Sequence, residues 1–482
     1  MKQLTGLDAG FLYMETATTF GHISSMAIYD KPASDGERPY EILRDRLEQR
    51  LPMFEPLRRR LVEVPFQLDH PWWVEDPDFD LDFHVRHIAV PPPGGERELA
   101  DLVGRLISRP LDRARPLWEA YVIEGLPGGQ WAALLKMHHA TIDGAAGALM
   151  TMMLLDAEPD APAPAMPELP PTEAVPTPVE MMGRTMVSYA QRPQRFVAAQ
   201  GRMIREAFDL AKDNTEQIRA AWTDAFSVGG AADPTAPSLP TRAAPKTPFN
   251  KAITPHRRIA YRSFPLDDVK ALKNHSEVTL NDVVMALCAG ALRRYLGRHE
   301  SLTDQPLVAA VPVSIRTGDE EDMWTNRVSS VFSQLPTHLA DPRQRMQFAH
   351  DAMVSAKGSF DLVPAESMID FAQFTPPALF TESAALMTRM RMADQLQQVS
   401  NLVISNVPGP REPLYMGSAR LQHYYPVSTI AEGQGLNITV QSYEDKLDLG
   451  LVGCRELLPD LWHIIDDVQA ELDELMAQIA AS

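Results

Sequence analysis

Residues 131–144 read Trp-Ala-Ala-Leu-Leu-Lys-Met-His-His-Ala-Thr-Ile-Asp-Gly. Up to His138 only Lys136 interrupts an apolar run, which predicts a buried strand over Trp131–His138. Tyr121–Gly125 predicts a partner strand, and Pro127-Gly128-Gly129 between the two predicts a hairpin. Ala145–Leu155 continues as a helix. The histidine pair therefore stands where a strand hands over to a helix. Histidine is the side chain whose ordinary pKa suits proton abstraction near neutral pH. Asp143, four residues on, can orient the imidazole or pin the loop by pairing elsewhere. Gly144 can supply backbone freedom for a sharp turn. Adjacent strand residues point to opposite faces, so His138 and His139 do not suit one metal. HHxxxD also lacks the i, i+4 histidine pair and the third ligand of a zinc site, so no metal is expected. No GxSxG elbow offers a nucleophile. A base here would act directly on a bound substrate. The plain alternative is a packing histidine at a strand end, and spacing alone leaves both readings open.

Working outward, Tyr40–Leu51 reads as an amphipathic helix. Residues 156–178 carry eight prolines, a density that excludes helix and sheet and predicts an extended linker. A second such stretch spans residues 229–248, with a helical insert at 179–227 between the two. Beyond it, Leu280–Leu296 reads as a helix with Thr279 as N-cap. Leu307–Ser314 and Asn437–Tyr443 read as strands, and Asp460–Ala480 as a closing helix. Three regions follow: 1–155, the linker and insert at 156–250, and 251–482. Strands and helices mix in both halves, so the expected class is α/β with mixed sheets, two-layered twice.

The 482 residues carry 45 basic and 64 acidic side chains, a net −19. That balance opposes general nucleic-acid binding. Two cysteines, Cys288 and Cys454, lie outside any metal or disulfide spacing and read as small buried groups in a reducing compartment. No secretory signal and no spanning apolar stretch appear, so a cytoplasmic protein, free or on a membrane surface, is expected.

HHATIDG at 138–144 matches the HHxxxDG signature of the acyltransferase superfamily that includes chloramphenicol acetyltransferase and peptide-synthetase condensation domains. Other blocks resemble the bacterial wax ester synthase/diacylglycerol acyltransferases more narrowly. They are LDAGFL at 7–12, RPLWE at 115–119, TLNDVV at 279–284, VPVSIR at 311–316, SNVPGP at 405–410 and LNITVQSY at 436–443. The resemblance runs from residue 4 to about residue 478 and implies a two-domain chloramphenicol acetyltransferase-like fold with a substrate channel between the domains. It implies His139 as general base, with long-chain acyl-CoA as co-substrate and no bound cofactor. Diacylglycerol is the implied acceptor and triacylglycerol the product; long-chain alcohols would give wax esters. By the same resemblance Asp143 is structural and turns to an arginine, for which Arg316 is the candidate. His138 shapes the site, and Gly144 keeps the turn. Asn281, at a helix N-terminus, is the candidate oxyanion donor, while Asp282 caps or braces. Pro116, Leu117 and Trp118 are expected under the channel floor or against substrate. Two alternatives stand beside this reading: another HHxxxDG acyltransferase, of condensation or polyketide-associated type, and an idle relative that binds acyl lipids or coats droplets.

A polyanionic CoA requires a basic patch, for which Arg58-Arg59-Arg60 and Arg293-Arg294 are candidates. Residues 181–205 hold five arginines and no acid, interleaved with apolar residues. Such a helix suits an anionic membrane or lipid-droplet surface. The expected location is cytoplasmic and peripheral to the inner membrane or droplets. Oligomeric state is not legible.

Overall fold

The structure, a computed structural model, describes residues 1–481 except 34–35, 163, 168–173, 189, 191–242, 316–322, 361–376 and 397. Two six-stranded sheets dominate it, and a small three-stranded sheet joins β1 (Lys2–Gln3), β3 (Arg59–Val62) and β4 (Trp72–Glu75).

The first large sheet has the order β12-β13-β2-β7-β6-β5. Its strands are β2 (His22–Tyr29), β5 (Val85–Ala89), β6 (Trp118–Glu124), β7 (Trp131–His138), β12 (Tyr415–Met416) and β13 (Ala419–Val427). The expected hairpin is present: β6 and β7 pair antiparallel across a turn at Pro127–Gly129. The helices of this half are α1 (Gly6–Tyr13), α2 (Pro39–Arg50), α3 (Glu55–Arg58), α4 (Leu81–His84), α5 (Glu96–Ile107) and α6 (Gly144–Leu154).

The second sheet runs β10-β9-β11-β14-β15-β8. Its strands are β8 (Arg257–Pro265), β9 (Leu307–Ser314), β10 (Val328–Leu335), β11 (Leu402–Val407), β14 (Leu436–Tyr443) and β15 (Lys446–Cys454). Parallel pairs β9–β11 and β11–β14 sit among antiparallel neighbours, so the sheet is mixed. Helices α7 (Leu266–His275), α8 (Leu280–Arg298), α9 (Pro342–Phe360), α10 (Pro377–Arg389) and α11 (Leu461–Ala480) belong to this half. Thr279 caps α8 as expected, in a capping box with Asp282. Cys288 and Cys454 are buried free thiols, and burial pushes the Cys288 thiol up to about 12.

The halves exchange elements, which the division at 155 and 251 does not convey. β13, from the second half, pairs antiparallel with β2 of the first. In return α5 packs on β8, where the Arg257 N–H donates to Ser108 Oγ at 2.8 Å. Gly450 of β15 approaches the Pro426 carbonyl of β13 so closely that a Cβ would lie 1.8 Å from that oxygen. β13 thus packs across β14 and β15 of the second sheet, and the end of β7 opens at a cavity between the two sheets.

Among the described residues no helix is long and apolar enough to cross a membrane.

Candidate active site

β7 ends at His138, and residues 139–143 turn into α6. Asp143 makes that turn. Its Oδ1 accepts from the Ala146 N–H at 2.9 Å as the α6 N-cap. Its other oxygen accepts from the Arg327 N–H at 3.0 Å. Asp143 is fully buried and points away from the cavity, as a structural aspartate would. Arg316, the expected partner, lies outside the described residues. Gly144 has no left-handed backbone, and a Cβ there would meet only a methyl of Val407 at 3.9 Å. The turn therefore needs no glycine freedom, contrary to expectation. Gly144 instead lines the cavity, as the first residue of α6.

The two histidines face opposite ways. His138 is buried behind β7. Its Nδ1 accepts from the Ala140 N–H at 3.0 Å, so Nε2 carries the proton and faces Glu15 Oε1 at 3.3 Å. Glu15 also accepts from the Gly21 N–H at 2.8 Å and from Arg113 at 2.8 Å. Burial alone would raise Glu15, but His138, the Gly21 amide and Arg113 outweigh it and hold the carboxyl at about 2. A Cβ on Gly21 would lie 2.5 Å from His138 Nε2, so only glycine admits the ring. The Gly21 carbonyl in turn accepts from the His139 N–H at 2.8 Å.

His139 lines a cavity of about 500 Å³ between the sheets, within the ordinary size for a ligand site. Its Nδ1 lies 3.0 Å from Asn326 Oδ1. The amide orientation follows from its other contacts. The Asn326 nitrogen donates to Asp8 Oδ1 and to the His139 carbonyl, both at 2.7 Å. The His139 carbonyl can only accept, so the amide nitrogen must face it and the oxygen must face the ring. Nδ1 therefore bears the proton and Nε2 keeps its lone pair. Asp8 is held by Thr5 Oγ1 at 2.7 Å and the Asn326 N–H at 3.1 Å. Burial outweighs these bonds and raises Asp8 above the usual carboxylate range. Phe11 stacks on the imidazole at 4.0 Å and 7° and fixes its plane. Burial, partly offset by bonds to its own backbone and Asn326, holds His139 below its ordinary value.

Asp8 and Phe11 lie in the LDAGFL block, yet their contacts with the histidine are not legible there. Asn326 is 187 residues from His139 and belongs to no block quoted above; no sequence signal points to it.

The cavity continues along α6 past Gly147 and Thr151, and across Ile23, Leu135 and Met137 of the first sheet. Val313, Ser405, Asn406 and Gln441 close it from the second sheet. Asn281 and Asp282 are not among its walls. Asp282 serves the α8 capping box and meets His350 Nδ1 at 2.8 Å, a brace to α9. Asn281, at the start of α8, stands outside the cavity walls and not at the expected oxyanion position beside His139. Pro116, Leu117 and Trp118 are buried beneath β7 and do not reach the cavity. The Leu117 carbonyl accepts from the His138 N–H at 2.9 Å, and Trp118 Nε1 donates to the Leu57 carbonyl at 2.8 Å. They brace the strand that ends at His138.

Neither arginine run forms an open basic patch. Arg58 pairs with Glu75, Arg59 with Glu55 and Arg60 with Asp76. Arg293 donates to the Thr337 and His338 carbonyls, and Arg294 pairs with Glu471 and Glu474. Among the described residues no cluster could hold a metal ion.

A half-buried histidine at a cavity between two mixed sheets is an arrangement suited to proton transfer to or from a bound substrate. The comparisons with known proteins narrow this. The model of the wax ester synthase/diacylglycerol acyltransferase catalytic domain matches residues 4–284, and that of the family's C-terminal domain matches residues 324–476. The chain belongs to this family. A Mycobacterium tuberculosis protein named as a diacylglycerol O-acyltransferase is 35% identical over 479 residues, covering 99% of this chain and 90% of that protein. A second, from the same species, is 37% identical over 481 residues, covering 98% and 99%. The solved wax ester synthase/diacylglycerol acyltransferase from Marinobacter aquaeolei VT8 matches with a TM-score of 0.68 at 30% identity over 99% of both chains. The first condensation domain of the CDA synthetase shares the fold, with a TM-score of 0.56 at 17% identity over 99% of this chain and 96% of that one.

Proposed function

We propose that this acyltransferase moves a long-chain acyl group from CoA to the free hydroxyl of diacylglycerol, giving triacylglycerol. Long-chain alcohols serve as secondary acceptors and give wax esters. One observation carries the reading: His139 lines a largely apolar cavity with its Nδ1 3.0 Å from the Asn326 oxygen, a contact that favours the proton on Nδ1 and leaves Nε2 to act as the base.

His139 Nε2 takes the hydroxyl proton as the alcohol oxygen attacks the thioester carbonyl carbon. The tetrahedral centre then collapses, the C–S bond breaks, and the imidazolium returns the proton to the departing thiolate. Such proton transfer contributes roughly 10²–10⁴ in rate. Holding donor and acceptor in one channel adds effective molarity and is the larger share. Asn326 stabilises the imidazolium through Nδ1–H, and Phe11 keeps the ring from turning. The low His139 pKa supports this role, because the base stays neutral and competent below pH 6.5.

The acceptor lives in a lipid phase, so the protein must meet one, and we propose peripheral attachment to a membrane or droplet surface. Phe66, Met186 and Val187 support this: they are 83%, 67% and 58% exposed. The remainder of the basic insert, 191–227, lies outside the described residues.

The test uses purified protein with palmitoyl-CoA and either diacylglycerol, hexadecanol or no acceptor. CoA release is followed with and without His139→Ala. Acceptor-dependent release that falls at least ~10²-fold in the variant is expected. Equal release from both proteins overturns the assignment.

A further inference from the structure

Behind the catalytic cavity lies a second, smaller one of about 30 Å³. Ser25, Leu135, Thr151 and Tyr424 line both. The second chamber is otherwise walled by apolar side chains such as Ala27, Leu43, Leu47, Ala133 and Leu155. Ala27 of β2 and Ala133 of β7 are direct cross-strand partners, so two small side chains meet where a filled core would carry large ones. Interiors rarely leave such gaps, since an apolar void forfeits packing.

Between the chambers stands the Tyr424 hydroxyl, 2.7 Å from Thr151 Oγ1 and also hydrogen-bonded to the Ser25 side chain. Thr151 also lies 3.0 Å from the Gly147 carbonyl, its own helix neighbour four residues back. Its hydroxyl can therefore keep a partner when the phenol leaves. Tyr424 is anchored at the backbone, where its N–H donates to the buried Asp448 at 2.6 Å. The part free to move is the phenol. At 1.5 Å per residue, Thr151 lies about 10 Å along α6 from Gly144, on the far side from His139.

We infer that the Thr151–Tyr424 pair is the partition that sets how long a hydrocarbon tail the catalytic cavity admits, and that the chamber behind it takes the surplus when the pair parts. This rests on the acyl-transfer reading above. The tail belongs either to the acyl donor or to the acceptor, and the two are separable by experiment.

Binding of saturated acyl-CoAs from C12 to C22 is measured by calorimetry on the full chain, wild type against Thr151→Ala, Tyr424→Phe and Tyr424→Leu. A parallel series uses free long-chain alcohols of the same lengths. Each methylene that gains buried space tightens binding by up to about fourfold. In the wild type, affinity is expected to stop rising at a definite chain length. In Thr151→Ala and Tyr424→Leu that break should move outward by about two methylenes or more. Adding Ala27→Val to Tyr424→Leu should pull it back. A shift in the CoA series alone assigns the tail to the donor; a shift in the alcohol series alone assigns it to the acceptor. A break that stays put in every variant overturns the partition. If the wild type binds neither series, this inference and the acyl-transfer reading both fall. If the break moves but no CoA is released, only the reaction falls. Tyr424→Phe keeps the ring and loses only the hydroxyl's bonds to Thr151 and Ser25, so it reports on the partition should the larger change impair folding.

Discussion

Asn326→Ala removes three hydrogen bonds at once: to His139 Nδ1 at 3.0 Å, and to the His139 carbonyl and Asp8 at 2.7 Å. Their worth differs between ground and transition state. With a neutral imidazole the Nδ1–H bond contributes about 1 kcal/mol; once the ring is cationic it contributes about 1.5–3 kcal/mol. The variant also frees the imidazole to adopt the other tautomer, whose Nε2 is a donor and no base. Together these amount to roughly 1.5–3 kcal/mol of barrier, or about a 10- to 10²-fold fall in kcat. KM should hold, since Asn326 does not line the cavity. A role limited to packing would not give that split, and a second variant sharpens the point. The swap Asp8→Asn with Asn326→Asp keeps an acceptor for Nδ1–H but makes it a carboxylate. It should recover much of the kcat lost in Asn326→Ala, and move the acidic limb of the pH profile upward, because a neighbouring negative charge favours imidazolium. The assay is thiol release from palmitoyl-CoA with diacylglycerol, run from pH 5 to 9. A kcat within threefold of wild type for Asn326→Ala, or a loss confined to KM, would refute the reasoning.

Three further outcomes are expected. In the wild type the acidic limb of kcat/KM should fall below pH 6.5, because burial lowers His139 and only the neutral ring is a base; a midpoint above 6.5 would count against it. Glu15 sits at about 2 in the folded chain against 4.5 when unfolded, so its contribution is full above pH 4.5 and fades as pH drops toward 2. Glu15→Gln should therefore cost up to about 3 kcal/mol in denaturant titrations at pH 7 and progressively less below pH 4.5; a pH-independent deficit would show that His138 and Arg113 do not depend on its charge. Phe66→Ser should cut liposome co-sedimentation severalfold while leaving thermal unfolding unchanged, since the ring is 83% exposed; unaltered sedimentation would remove this loop from any lipid contact.

How far the sequence discloses this arrangement depends on the range of the interactions involved. The strand Trp131–His138, the hairpin at Pro127–Gly129 and the Thr279 cap are all written within a few residues of themselves, and each is legible. So is the opposed facing of His138 and His139, which follows from strand geometry. Asn326 is not, because its meaning arises only when β10 is laid beside β7's end by the closing of the two sheets. The arginine runs mislead for a related reason. Charge counted along the chain takes no account of Glu55, Glu75 and Asp76, which neutralise residues 58–60 from neighbouring elements. Of these, only Glu55 at four residues' spacing was visible locally. Asn281 reads as an anion donor because a helix begins there, but where a helix points is a tertiary fact. Gly144 reads as a turn residue, while its backbone is ordinary and its missing side chain widens the channel.

The passage of β13 into the first sheet bears on how the chain comes into being. β2 and β7 leave the ribosome early, yet the strand that completes their sheet ends at Val427. Until then β2 presents an open edge, a template for pairing with any other extended chain. The first half is thus a nascent intermediate with a long wait, and its loop closure spans some 390 residues. Expression of residues 1–155 alone should yield aggregates, and supplying residues 251–482 in trans should be the way to draw them back into solution. Codon pauses and chaperone contacts that shield β2 would then matter more to yield than any single substitution in the channel.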